Sequence, residues 1–411
     1  MSGHGTGSLR HQPAAVWAVA FASMVAFMGI GLVDPILPAI AESLDATAVE
    51  TELLFTSYLV VTGLAMLITS WISSRIGAKA TLLIGLGLIV AFALLCALSG
   101  NVDEVIGFRA GWGFGNALFL STALATIVGA GAGTGGSGAA IVLYEAALGL
   151  GMAIGPLLGG LLGEVSWRGP FFGVVALMAI AFVAVATLLR TKGAAKPTPV
   201  PFSAPFRALG RPALAVLAVA ALFYNVGFFV LLAFSPFPLG FGAMGIGLTF
   251  FGWGVGLAVT SVWVAPMLLR RMRRTTVMLW TLPLLAADMF AAALVVQHAI
   301  GLVICIIIGG LLLGVMNTVL TEAVMESTDL PRSVASSAYS AIRFLGGAAA
   351  PPIAAALWHA YGAGVPYAFA AVAVLVAGTV IACFRRVLAR VDTRDADVEE
   401  EAEAVLVGDA A

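Results

Sequence analysis

The sequence predicts an all-α polytopic membrane protein, with twelve transmembrane helices in two pseudo-symmetric six-helix bundles. Three observations carry this. Apolar residues make up 61% and charged residues 10% of the 411-residue chain, against about 45–50% and about 25% in soluble proteins, and the mean hydropathy is +1.07. So few charges cannot cover a soluble surface. The apolar residues fall into runs of roughly 20, the length that crosses a hydrocarbon core about 30 Å thick. A polar, Pro-rich segment then divides those runs evenly.

In the first half the runs cover about 15–40, 52–73, 80–99, 105–130, 139–163 and 170–190. In the second they cover about 213–238, 245–268, 277–297, 302–325, 336–359 and 365–385. Lipid offers backbone polar groups no partner, so each run is expected to be a helix. The runs are continuous, not alternating as in a β-barrel strand. The expected organisation is a tail over 1–14, a bundle over 15–190, a linker over 191–212, a second bundle over 213–386 and an acidic tail over 387–411. The linker carries Pro197, Pro199, Pro201, Pro205 and Pro212 and reads as partly extended. The stretch Asp392–Asp409 reads as solvated, and the Gly-rich stretch Gly129–Gly138 as a flexible connector.

Orientation follows from the basic residues. Of the twenty, all but Arg109, Arg168 and Arg343 fall on the side of the N-terminus, and loops on the other side carry Glu42, Asp45, Glu50, Asp103 and Glu164. Both termini are therefore expected in the cytoplasm, with the chain in the cell membrane. The first apolar run is too long for a cleaved leader and is kept as a span.

Several functions are excluded at this point. A net charge of −1 with scattered basic residues offers no face for nucleic acid. Cys96, Cys305 and Cys383 lie far apart in apolar runs and read as small buried residues, not a disulfide framework or metal site. His4, His11, His298 and His359 show no ligand spacing. GxxxxGK[ST] does not occur, which argues against ATP-driven transport. No nucleophile–base constellation or large extramembrane domain suggests an enzyme. No cofactor or metal is expected, and a monomer in the bilayer is the simplest assembly.

The turn after the second run reads Ser70-Trp-Ile-Ser-Ser-Arg75-Ile-Gly77-Ala-Lys79, and the turn after the eighth, Ala265 to Arg274, is likewise short and basic. Gly149–Gly160 in the fifth run is answered by Leu345–Pro352 in the eleventh. Such internal repetition marks secondary transporters. On these residues the chain resembles the major facilitator superfamily over nearly its whole length. The family turn is G-x-x-x-D-R-x-G-R-K; Arg75, Gly77 and Lys79 match, while Ser70, Ser74 and Ala78 depart from it. Ser74 replaces the acid that normally helps latch the cytoplasmic side, so the latch is weaker or another acid supplies it.

The fifth-helix motif G-x-x-x-G-P-x-x-G-G fits Gly151, Gly155, Pro156, Gly159 and Gly160; within the superfamily it resembles drug/proton antiporters. Its glycines allow close helix approach, and Pro156 bends the helix, giving a pliable interface between the halves. Arg109, Gly113 and Gly115 match R-x-x-x-G-x-G, in which the family's arginine serves proton transfer.

Ionisable groups inside spans are functional candidates. Asp34 and Arg109 both fall about 10 Å below the outer surface, at about 1.5 Å per residue. They are expected to interact, as a proton-coupling pair or as a static one, with Pro35 and Pro38 distorting the helix beyond. Glu145, Glu322 and Arg343 share a layer nearer the inner mouth. There Arg343 is expected to pair with Glu145 or Glu322 as a gate, or as a structural pair, and Glu145 is the second proton-coupling candidate. Arg75 and Lys79 join the gating charge pairs. Asp288, mid-span in the ninth helix, receives no role.

In the resembling fold the first, fourth, seventh and tenth helices line the cavity. Trp112, Asn116, Tyr224, Asn225, Phe228 and Asn317 are the expected substrate contacts, an aromatic wall suited to amphipathic ligands. The leading expectation is proton-coupled export of small lipophilic molecules by alternating access. Three alternatives remain open: a dedicated exporter of one endogenous metabolite, such as a siderophore or antibiotic; a proton-coupled nutrient symporter; and a membrane enzyme or scaffold.

Overall fold

The computed structural model describes residues 13–33, 36–131, 137–189 and 199–392. Its first six spans are built from α1 (Ala14–Gly31), α2 (Leu37–Ser43), α3 (Ala48–Ile76), α4 (Ala78–Leu98), α5 (Val102–Gly131), α6 (Ser137–Gly163) and α7 (Gly169–Leu188). A short α8 (Ala204–Leu209) precedes the last six. These comprise α9 (Pro212–Phe229), α10 (Pro236–Leu239), α11 (Ala243–Val259), α12 (Ala265–Leu269), α13 (Arg274–Val295), α14 (Ala299–Glu326), α15 (Arg332–Tyr361) and α16 (Gly364–Cys383). Among the described residues, eleven spans are long and apolar enough to cross a membrane by length and composition alone. The fourth in order, α5, has 30 residues, but Asp103, Glu104, Arg109 and Asn116 dilute its apolar character.

Three spans are interrupted where proline removes a backbone donor. The first, expected as one helix over 15–40, ends at Gly31 and resumes at Leu37 with Pro38 in its first turn. Between α9 and α10 the backbone forms a π-turn, Val230–Phe234, just before Pro236. Between α11 and α12 a second, Thr260–Val264, precedes Pro266. Single π-turns of this kind are local weak points in a helix.

The end of the bundle carrying Arg75, Lys79 and Arg211 is termed the basic end. There Gly77 joins α3 to α4 at φ 86°, a left-handed conformation that glycine adopts without strain. At the opposite end Thr47 and Glu50 form a reciprocal cap on α3: the Glu50 amide donates to Thr47 Oγ1 (3.3 Å) and the Thr47 amide to Glu50 Oε2 (2.7 Å). Arg168, the exception to the basic asymmetry, donates to the carbonyls of Ala97 (3.0 Å) and Ser99 (2.6 Å) at the C-terminal end of α4, where a cation suits the helix dipole.

The two halves meet along two seams. One runs α6 against α11, from Gly149 on Ala258, through Ala153 on Gly254 and Pro156 on Gly247, to Gly160 on Ala243. The other runs α3 against α15, where Gly63 lies on Ala341 and Leu345.

Asp392 was expected at the start of a solvated tail, but it is bound. It accepts from the Thr275 amide (3.0 Å) and hydroxyl (2.5 Å) at the start of α13, and Arg274 donates to the neighbouring Val391 carbonyl (2.9 Å). An acid at a helix N-terminus satisfies amides that have no partner within the helix. Cys96 and Cys305 are buried as expected, whereas Cys383 is exposed. His4, His11, the stretch 190–198 and the tail beyond Asp392 lie outside the described residues.

Candidate functional site

Arg109 projects from α5 into the first half and is fully buried. Its Nε donates to the Leu54 carbonyl (3.3 Å), and its guanidinium lies 4.3 Å from the Tyr58 ring centroid and 4.8 Å from that of Trp112. Such cation–π contacts hold a desolvated charge in place. Asp34, its expected partner, lies outside the described residues.

Trp112 is not the cavity wall expected of it. It packs edge-on against Tyr58 and Phe171 and abuts Gly29 of α1, so it belongs to the core of the first half. Phe228 likewise turns into the second half, against Phe229 and Trp253. An aromatic residue on a central helix can serve either surface, and composition does not choose between them. Asn116 is fully buried, and neither of its amide atoms has a hydrogen-bond partner.

A second cluster joins the halves. Glu145 of α6 is buried, and its Oε1 accepts a hydrogen bond from the hydroxyl of Thr321 on α14 (3.0 Å). Its Oε2 is buried without a hydrogen bond. Arg343 of α15 lies within electrostatic reach of Glu145 and of the Tyr144, Tyr224 and Tyr339 hydroxyls. Two more bonds brace this layer within the second half. Tyr224 donates to Asn317 Oδ1 (2.7 Å), and Asn225 Nδ2 donates to the Arg343 carbonyl (2.7 Å). Glu322, the other candidate for Arg343, lies 3.7 Å from Arg274 of α13. The cluster therefore brings together Glu145, Arg343, Tyr224, Asn225 and Asn317 from the sequence candidates. Thr321 and Tyr339 were missed, although Thr321 follows Asn317 by four residues and so shares its helix face.

The signature turn differs from its expected role as a set of charge pairs. Arg75 stacks over Trp71 at 4.3 Å, and Lys79 Nζ donates to the Ala186 carbonyl (2.7 Å) near the end of α7. Ser74 donates to Trp71 O (2.9 Å) and accepts from the Val200 amide (3.1 Å). Trp71 also meets Phe202 edge-on at 6.1 Å. With a hydroxyl in place of the acid, the turn holds the stretch before α8 by a neutral bond and an aromatic contact.

The fifth-helix motif divides between two neighbours. A Cβ at Gly151, Gly155 or Gly159 would come to 2.3, 2.5 or 2.3 Å from the carbonyl oxygens of Met24, Met28 and Leu32. That stripe is fitted to α1 within the first half, and is not the inter-half interface expected. Gly160 faces Ala243 at the start of α11 and does lie between the halves, while Pro156 serves both neighbours, its ring on Gly31 of α1 and its carbonyl on Gly247 of α11. Asp288, unassigned from sequence, is buried on α13 with its Oδ2 toward Gly309 of α14.

Similarity to known proteins agrees with this architecture. The sequence profile of the Major Facilitator Superfamily matches residues 19–351. A protein of Bacillus subtilis named multidrug efflux protein YfmO is 49% identical over 382 residues, which is 93% of this chain and 96% of its own length. The uncharacterised MFS-type transporter EfpA of Mycobacterium tuberculosis is 28% identical over 177 residues, covering 43% of this chain and 33% of its own. Among solved structures, the human organic anion transporter MFSD10 superposes with a TM-score of 0.74 over 91% of this chain and 99% of its own. At 17% identity that likeness concerns the fold. The chain belongs to the Major Facilitator Superfamily of multi-pass membrane transporters, not to a class of enzymes.

Proposed function

We propose that the chain exports small lipophilic or amphipathic molecules from the cytoplasm in exchange for protons, by alternating access. The name of its 49%-identical relative, a multidrug efflux protein, supports the cargo class. The observation that carries the mechanism is the bond from Thr321 to Glu145, 176 residues apart in sequence and on opposite halves. A carboxylate bonded across a moving seam, with Arg343 nearby, has different surroundings when the seam opens, and this couples its charge to conformation. The basic end faces the cytoplasm on this reading, by the asymmetry of Lys and Arg. Both termini then lie there, in the cell membrane.

Asp34 with Arg109 supplies a second proton-coupling position toward the outer face, supported on the arginine side by its burial among Leu54, Tyr58 and Trp112. Arg343 and Glu322 act at the inner gate, and Asn116, Tyr224, Asn225 and Asn317 offer polar contacts to cargo. The two bundles and the linker over 191–212 serve as the rocking units and their tether, in a monomer.

The test is substrate-driven proton movement in proteoliposomes, for wild type, Glu145→Gln and Asp34→Asn, with lipophilic cations, anions and neutral drugs. Loss of movement in either variant with binding retained supports coupling at that carboxylate. Intact movement in both would sink the antiport mechanism drawn here.

A further inference from the structure

A cavity of about 1330 Å³ opens at the basic end between α3, α4, α5, the stretch around α8, and α15. Pockets of about 300–1,000 Å³ already hold drug-sized ligands, so the space is ample. Its chemistry is one-sided. Lys79, Arg207 and Arg211 line it, and no Asp or Glu does among the described residues. Lys79 spends one donor on a neutral carbonyl, so its charge remains. Arg211 also feels Asp329 in the neighbouring groove, but that carboxylate is hydrogen-bonded by Arg390.

Deeper in, Ser70, Ser121, Thr122 and Ser337 line the same cavity; each is at least nine-tenths buried, and none of their hydroxyls has a hydrogen-bond partner. An unsatisfied buried hydroxyl is costly, so a polar group brought within its reach is stabilised. The helices α4 and α15 both begin near the rim, at Ala78 and Arg332, adding the positive ends of two long helix dipoles. Ile76, Leu83, Ala125, Val200 and Val334 supply apolar wall. Cations, helix N-termini and free hydroxyl donors all favour negative charge, and the wall favours an attached apolar body.

We propose that this cavity receives an amphiphile with an anionic head, a phosphate, sulfonate or carboxylate. The head sits against Arg207, Arg211 and the Ser70, Ser121, Thr122 and Ser337 hydroxyls. The source is either an anionic lipid of the facing leaflet or a free organic anion. The inference rests on the export reading only for what the ligand is for; binding stands apart from transport. A lipophilic cation, by contrast, would meet like charge at the rim without a compensating carboxylate.

Binding is measured calorimetrically on the full chain in phosphatidylcholine nanodiscs, using 2-naphthalenesulfonate, 2-naphthylmethylammonium and neutral 2-naphthalenemethanol. The sulfonate is expected to bind most tightly, and to lose about tenfold or more in affinity in Arg207→Gln/Arg211→Gln, since charge-assisted hydrogen bonds are the strong ones. Ser121→Ala/Ser337→Ala, which alters no charge, is expected to weaken the sulfonate alone. Nanodiscs containing phosphatidylglycerol separate the sources. Displacement of the sulfonate by that lipid in wild type identifies a headgroup site, whereas indifference to it identifies a site for free anions; both support anion recognition. Equal affinity for the ammonium or the alcohol overturns the proposal, as does unchanged sulfonate binding in both double variants. Sulfonate binding without transport of any compound would instead count against the export reading and leave the site intact.

Discussion

Replacing Thr321 by Val removes one hydroxyl and keeps the side chain's shape, so it isolates the bond that ties the halves together. Glu145 Oε1 accepts that bond at 3.0 Å, and Oε2 has no hydrogen bond. Loss of Thr321 therefore leaves both oxygens without one. A hydrogen bond to a charged group contributes about 1.5–3 kcal/mol net, and each 1.4 kcal/mol is about tenfold in an equilibrium. Because donor and acceptor sit on different halves, the loss falls on their relative arrangement. The fraction of molecules with the seam as seen here should drop by about tenfold to a hundredfold against the alternative arrangement. Spin labels on the exposed native Cys383 and on Leu188→Cys, 46% exposed on the other half, report the separation at the basic end. Cys96 and Cys305 are buried and stay unlabelled. Thr321→Val should add a second distance population. Thr318→Val, whose hydroxyl bonds stay within the second half at Gly314 and Ser261, should not. An unchanged distribution in Thr321→Val would refute the idea that this bond holds the seam.

Gly155→Ala places a methyl 2.5 Å from the Met28 carbonyl oxygen, and overpacking of that kind costs about 1–3 kcal/mol. The detergent-solubilised protein should unfold at a lower temperature, and an unchanged midpoint would show that α1 and α6 are not fitted as described. Ser74→Ala frees the Val200 amide, so trypsin should cut after Arg207 sooner than in wild type; equal rates would count against a docked linker. Arg390, by its hydrogen bonds and then its charge, holds the Asp329 carboxyl below the usual carboxylate range. A depressed native pKa gives stability that is present above the unfolded value, about 3.9, and lost as pH falls through the native one. Hydrogen exchange of the turn Ala389–Asp392 should therefore show native protection at pH 6–8 and extra opening only below about pH 4. Asp329→Asn should abolish that acid dependence.

The sequence displays the features that lipid enforces and leaves open those that packing decides. Span count, basic asymmetry and the signature turn were legible because the bilayer penalises misplaced charge and unpaired backbone for every span alike. Glu145 and Arg343 stood out for the same reason. Their surroundings did not. Trp112 and Phe228 are equally apolar whether they face a cavity or a core, and only the rotation of α5 and α9 assigns them. The polar partners were hidden by abundance. Thr321 is one of many hydroxyl residues in the spans, and its role depends on meeting a carboxylate 176 positions away. Ser74 was noticed for the acid it lacks, while its bond to Val200 requires knowing where the linker returns.

The fifth-helix motif shows how one sequence pattern can encode two mechanical tasks. Gly151, Gly155 and Gly159 recur every four residues, so they form one stripe, and that stripe lies on successive carbonyls of α1. Each close approach there fixes depth and register, since any side chain would strike backbone. On the adjoining stripe, Gly149, Ala153, Pro156 and Gly160 meet Ala258, Gly254, Gly247 and Ala243 of α11. At these positions small residues face small residues along the seam. Rotation of one surface over the other then needs little repacking, and the π-turn Thr260–Val264 at the end of α11 gives a place for that helix to bend. Glu145 sits on the same α6, one turn before Gly149, where it is bonded to Thr321 of the second half. A single helix thus carries a rigid joint to its own half, a smooth seam to the other and the polar fastening between them. Ala153→Leu overpacks that seam where it meets Gly254, and should therefore slow substrate-driven proton movement in proteoliposomes; unchanged movement would show that the two surfaces need not slide.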